Sequence, residues 1–200
     1  MIAPAFRVIF AWPYRVIFAG LYRAGFRPWQ LTLLSLAANA ACGWLIIQGR
    51  FLLPGLLLIP AGLLDIFDGA IARQRGEESL VGAFLDSVVD RASDLFVFGA
   101  LFWALAGQGK DLEAGLALTS LIFALGVSYI RAQAESLGLT LTEGLMQRLE
   151  RYVALMIGLL FPGAMLPVLI LLAVLGGTTA LQRIWSAWSQ LDPRRSRRAA

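Results

Sequence analysis

The chain has 200 residues, 58% of them apolar, with a mean hydropathy of +0.72. That is too apolar for an ordinary soluble protein and points to a chain lying in lipid. It has no histidine, one cysteine and a net charge of +4, which excludes Ser-His-Asp triads, imidazole bases, His-ligated zinc and intrachain disulfides. Acid–base work must fall to Asp, Glu, Lys, Tyr or Cys. Cys42 lies in an apolar run and reads as a small core residue. The arginines flank or interrupt apolar helices, which argues against nucleic acid as a partner.

Residues 4–24 mix Phe6, Ile9, Phe10, Ile17 and Leu21 with Arg7, Arg15 and Arg23. The pattern predicts a basic amphipathic helix on the membrane surface, with Pro13 as a kink. It lacks the small-residue cleavage site of a secretory signal. Six spans follow, at Pro28–Gln48, Phe51–Arg73, Leu80–Ala106, Asp111–Leu137, Glu143–Phe161 and Ala164–Gln190. Turn chemistry separates them, as at Gln48-Gly49-Arg50, Gly76-Glu77-Glu78-Ser79 and Pro162-Gly163. The predicted architecture is an all-α integral membrane protein. An interfacial helix (1–27) precedes a six-helix transmembrane domain (28–190) and a basic tail (191–200).

An even number of spans puts both ends on one side of the membrane. Fifteen arginines fall on that side, four of them in the tail, and only Arg50 and Lys110 fall on the other. The asymmetry predicts cytoplasmic termini in a multi-pass protein of the cell membrane.

Asp65, Asp68, Asp86 and Asp90 all land at the cytoplasmic ends of spans two and three. Spacings of three and four residues put each pair on one helix face. Ionisable groups in an apolar span mark a functional site by default. Too few fixed cations match four aspartates for mutual salt bridging to explain them. Converging carboxylates suit Mg²⁺ or Mn²⁺ rather than zinc, and such a metal suits a phosphate or pyrophosphate substrate. Gly69, Ala72 and Gly82 let a ligand or a neighbouring helix approach the backbone. Asp94 continues the Asp86–Asp90 face and reads as support, or as an ion-pair partner of Arg91 or Arg75.

The string Asp65-x2-Asp68-Gly69-x2-Ala72-Arg73-x8-Gly82-x3-Asp86-x3-Asp90 resembles the signature of the CDP-alcohol phosphotransferases. The six-span layout with its interfacial helix resembles that family too. The resemblance implies that Asp65, Asp68 and Asp86 coordinate metal, with Asp90 near or on it and acting as general base. It implies that Gly69, Ala72, Arg73 and Gly82, with Asp65 and Asp68, line the site for the CDP-linked lipid. The implied chemistry is attack by an alcohol on the β-phosphorus, releasing CMP, in a homodimeric enzyme. One departure lies upstream: related enzymes often carry Pro-Asn-x-x-Thr or Pro-Asp-x-x-Thr, and here the run is Pro28-Trp29-Gln30-Leu31-Thr32. Trp29 accepts no hydrogen bond and reads as well as an interfacial anchor.

Arg131, Arg148, Arg151 and Arg183 come from three spans at similar depth. Each alone could snorkel to lipid headgroups, and Glu150 or Glu135 could pair with Arg151. Together they predict a second anion pocket, for a phosphorylated acceptor alcohol. Ser128-Tyr-Ile-Arg131-Ala-Gln-Ala-Glu135, Gln147-Arg148-Leu-Glu-Arg151 and Leu181-Gln-Arg183 resemble the prokaryotic phosphatidylinositol-phosphate synthase branch. There the cations hold the phosphate of inositol phosphate, a role the resemblance carries to Arg131 and Arg183 and to Arg148, Arg151 or both. The expected reaction is phosphatidyl transfer from CDP-diacylglycerol to inositol phosphate. Glycerol 3-phosphate is the alternative acceptor, and a cation-binding membrane transporter is the alternative of another class.

Overall fold

The computed structural model describes residues 11–141, 144 and 148–191, which form seven α-helices and one 3-10 turn. They are α1 (Ala11–Arg23), α2 (Pro28–Ile47), α3 (Leu52–Arg75), α4 (Leu80–Gly107), α5 (Asp111–Ser136), α6 (Arg148–Leu160) and α7 (Met165–Leu191). No strand occurs among the described residues. Arg7, Glu143, Gln147 and the tail arginines Arg194, Arg195, Arg197 and Arg198 lie outside them.

By length and composition, α2, α3, α5 and α7 can each cross a membrane. Helix α4 is long enough at 28 residues, but Asp86, Asp90, Arg91 and Asp94 interrupt its apolar character. Helix α6 is described over only 13 residues, against the roughly 20 that span a hydrocarbon core. The helix boundaries agree with the sequence reading to within two residues where both ends are described. The reason is local: turns punctuate this chain strongly. Gln30 reaches back to accept from the Arg27 N–H at 2.9 Å, with Pro28 opening α2. Gly76, at φ +63°, ends α3 in the left-handed region that a side chain would resist. Ser79 then caps α4 by accepting from the Gly82 N–H at 3.0 Å.

Helix packing closes a ring. Helix α2 packs on both α3 and α4, α4 on α5, α5 on α7, α7 on α6, and α6 back on α3. The two acid-bearing helices α3 and α4 therefore flank α2 and do not pack along each other, which leaves a cleft between them. Helix α2 approaches α4 closely at Gly43, where an added Cβ would stand 2.7 Å from the Phe96 carbonyl oxygen. The main core lies within the ring, around Ile46, Phe98, Leu101, Leu155, Leu159 and Leu169. A smaller cluster of Leu31, Phe67 and Ile71 receives Phe18, Leu21 and Tyr22 of α1. Arg75 ties the same junction. It donates to the carbonyls of Phe26 (2.8 Å) and Tyr22 (3.0 Å), with its guanidinium 4.8 Å from the Tyr22 ring centroid. Arg75 is thus not the partner of Asp94.

Candidate active site

The turn between α3 and α4 brings the acids together. One oxygen from each of Asp65, Asp68 and Asp86 lies within 4.8 Å of the others. Asp65 Oδ1 is buried without a hydrogen-bond partner. An oxygen-only donor set with an orphaned carboxylate oxygen fits a divalent cation such as Mg²⁺ or Mn²⁺. Asp90, one turn along α4 from Asp86, is not part of this trio; it pairs with Arg148.

Asp68 is 5% exposed and is held from α2. The Thr32 hydroxyl donates to its Oδ2 at 2.7 Å. Sequence reasoning made no assignment in the Pro28–Thr32 run because Trp29 broke the pattern. Thr32 was the recoverable signal, since that position still matched. Thr32→Val removes the donor to Oδ2 and leaves Asp68 held at Oδ1 by the Gly69 N–H. Supporting hydrogen bonds of this kind are worth about 10–100-fold in metal affinity. Mn²⁺ titration of the variant, followed by electron paramagnetic resonance, is expected to report weakening of that order. An affinity equal to that of the parent chain would show that Thr32 does not orient the ligand.

Two cavities open on the cluster. The smaller, about 470 Å³, is lined by Asp68, Gly69, Ala72, Arg73, Gly82 and Asp86, together with Pro28, Trp29 and Thr32. At Gly69 a Cβ would stand 3.3 Å from Nη1 of the exposed Arg73, so a side chain there would displace that guanidinium. The larger, about 720 Å³, is lined by Asp86, Asp90 and Asp94 and by all four predicted arginines, Arg131, Arg148, Arg151 and Arg183. Asp86 borders both.

The arginines are engaged in different ways. Arg131 is exposed and pairs with Glu135 at 2.8 Å. Arg183 donates to the Val127 carbonyl at 2.9 Å. Arg151 pairs with Asp94 at 3.0 Å, with both groups largely buried. The ion pair that sequence reasoning gave to Arg91 or Arg75 therefore belongs to Arg151; Arg91 bonds the Ser87 carbonyl of its own helix. Arg148 bridges two predicted site acids, meeting Asp65 at 2.5 Å and also Asp90. One guanidinium from α6 thus meets two of the four aspartates, 83 residues from Asp65 along the chain. Behind it stand Tyr152 and the buried Asn39, which sequence reasoning missed; a lone amide inside an apolar span was the available signal.

The chain has close relatives. Phosphatidylinositol phosphate synthase of Mycobacterium marinum is 33% identical over 193 residues, covering 92% of this chain and 82% of the relative. A crystal structure of the Mycobacterium tuberculosis phosphatidylinositol phosphate synthase with CDP-DAG bound superposes with a TM-score of 0.80 at 32% identity. It covers 88% of this chain and 94% of that one. The same protein in complex with manganese and citrate also gives a TM-score of 0.80, at 33% identity over 88% and 89% of the two chains. The CDP-alcohol phosphatidyltransferase profile matches residues 26–187, from the start of α2 to within α7. That match takes in the whole acid cluster and both cavities, and it rules in favour of a transferase over a transporter. This multi-pass membrane protein belongs to the CDP-alcohol phosphatidyltransferase family.

Proposed function

We propose that this enzyme transfers a phosphatidyl group from CDP-diacylglycerol to inositol phosphate and releases CMP. The observation that carries the reading is the pair of cavities sharing Asp86. One has Gly69, Ala72 and Gly82 in its wall and the other has four arginines. A pyrophosphate in the first would present its β-phosphorus to an alcohol anchored by its phosphate in the second.

In this reading Asp65, Asp68 and Asp86 hold Mg²⁺ or Mn²⁺, which when bound neutralises pyrophosphate charge. Gly69, Ala72, Arg73 and Gly82 cradle the CDP moiety, with Asp65 and Asp68 beside it. Arg131, Arg148, Arg151 and Arg183 attract and orient the acceptor phosphate. Arg151, already committed to Asp94, contributes positive field more than a free fork. Asp90 lies on the acceptor side of Asp86. As general base it takes the hydroxyl proton while the alcohol oxygen bonds the β-phosphorus and the bond to CMP breaks. The Arg148 contact engages its Oδ1, which leaves Oδ2 for the proton.

The membrane arrangement belongs to the same proposal. Residues 28–190 would form the six-span catalytic domain, with α4 and α6 counted as spans beside α2, α3, α5 and α7. Helix α1 would lie at the interface, and residues 191–200 would contact anionic lipid. The arginine asymmetry supports cytoplasmic termini and a site facing the cytoplasm of the cell membrane. A homodimer is the assembly inferred.

The test is release of CMP by detergent-solubilised protein given CDP-diacylglycerol, Mg²⁺ or Mn²⁺, and one alcohol at a time. Inositol phosphate is expected to be the acceptor. Glycerol 3-phosphate offers the arginines the same group, and preference for it would replace the acceptor in this reading. Turnover with serine or free inositol and with neither phosphate ester would refute the arginine pocket.

A further inference from the structure

We propose that Asn39 and Tyr152 form a positioning pair that fixes the plane of the Arg148 guanidinium towards the acceptor. The proposal rests on the reading of Arg148 as a ligand of the acceptor phosphate.

Arg148 spends Nη1 on two carboxylates, Asp65 and Asp90. A planar group anchored at one corner can still swing about it. The other corner meets Tyr152, one turn along α6, whose hydroxyl lies 3.4 Å from Nη2 and whose ring centroid lies 5.1 Å from the guanidinium carbon. The Tyr152 hydroxyl has a single proton, which it donates to Asn39 Oδ1 at 2.9 Å. Asn39 is fully buried in α2 and cannot turn freely, because its Nδ2 donates to the Ser35 carbonyl at 2.9 Å. The chain of donors therefore runs Arg148 to Tyr152 to Asn39 to backbone. With its proton committed, Tyr152 can only accept from Arg148. This relay links α2 to α6, two helices that are not neighbours in the ring. An amide in an apolar span needs a partner. Here the partner is a residue that sets the direction of the Nη2 N–H which the carboxylates and Tyr152 leave for the acceptor phosphate.

Tyr152→Phe keeps the ring beneath the guanidinium and removes only the acceptor. Asn39→Leu frees the Tyr152 proton to point elsewhere. In Mn²⁺-loaded protein, each change is expected to raise the acceptor KM roughly fivefold, the size of one net hydrogen bond, and the donor KM by less than about twofold. Calorimetric affinity for inorganic phosphate should weaken in parallel, which gives a reading that needs no turnover and no choice of alcohol. In an Arg148→Gln background, Tyr152→Phe should add nothing. Three outcomes overturn the pair: unchanged phosphate affinity in Tyr152→Phe, donor and acceptor KM rising together, or a further loss on top of Arg148→Gln. A switch of preferred alcohol with the pattern intact would instead count only against inositol phosphate as substrate.

Discussion

Asp90→Asn is expected to lower CMP release by about 10²–10⁴-fold, the span attributed to a positioned general base. The variant should still bind CDP measurably, because the smaller cavity is built from the start of α2, the end of α3, the turn after it and the first turns of α4, and does not include residue 90. Asparagine preserves the side-chain shape and an oxygen that can accept from Arg148. It cannot take up a proton at neutral pH. The chain contains no histidine to substitute, and the neighbouring carboxylates are assigned to the cation. The decisive comparison is single-turnover CMP release against equilibrium binding of CDP in the same preparation. Turnover within about twofold of the parent chain, where a base should contribute at least about 10², would remove Asp90 from that role. Loss of binding and turnover together would reassign it to holding the nucleotide or the cation.

Arg148→Gln is the second large effect, and its size depends on the metal. Without a divalent cation, Arg148 supplies the one positive charge that Asp65 and Asp90 share. Removing it from this partly buried cluster leaves the carboxylates without that charge and costs about 1–3 kcal/mol, between the values for exposed and buried pairs. The thermal midpoint in chelator should therefore fall by several degrees. Mn²⁺ supplies positive charge to Asp65, one of the two acids left without the guanidinium, so it should restore more stability to the variant than it adds to the parent. The acceptor KM should remain high even when stability has recovered, since the lost fork also faces the larger cavity. Equal midpoints for variant and parent in chelator would show that the bridge contributes nothing to the metal-free state. The same arrangement implies competition: a cation bound at Asp65 draws that carboxylate away from Arg148, leaving the guanidinium freer for phosphate.

Much of the site was legible before any coordinates. Asp65 with Asp68, and Asp86 with Asp90, stand one helical turn apart, and helix geometry alone puts each pair on one face. Gly76 and Ser79 mark where one helix stops and the next begins. What stayed hidden were the partners reached across long chain separations. Thr32 meets Asp68 from 36 residues away, Arg151 meets Asp94 from 57, and Asn39 meets Tyr152 from 113. Nothing local distinguishes an arginine that pairs one turn along its own helix, such as the exposed Arg131 with Glu135, from one that bridges two acids, such as Arg148.

By itself the sequence determined the apolar helical class, the turns, the family string and the pairing of acids along each helix. These depend on periodicity and turn chemistry, which act over a few residues. Only the tertiary structure decided that α3 and α4 flank α2 with a cleft between them, that the cleft opens into two cavities meeting at Asp86, and that Arg148 closes over the acids. Those features depend on how each helix is rotated about its axis and which neighbour it packs against. That is set by ring closure, by close approaches such as Gly43 to Phe96, and by the need of each buried polar group for a partner. A one-dimensional pattern specifies a helix face, and packing specifies what that face meets.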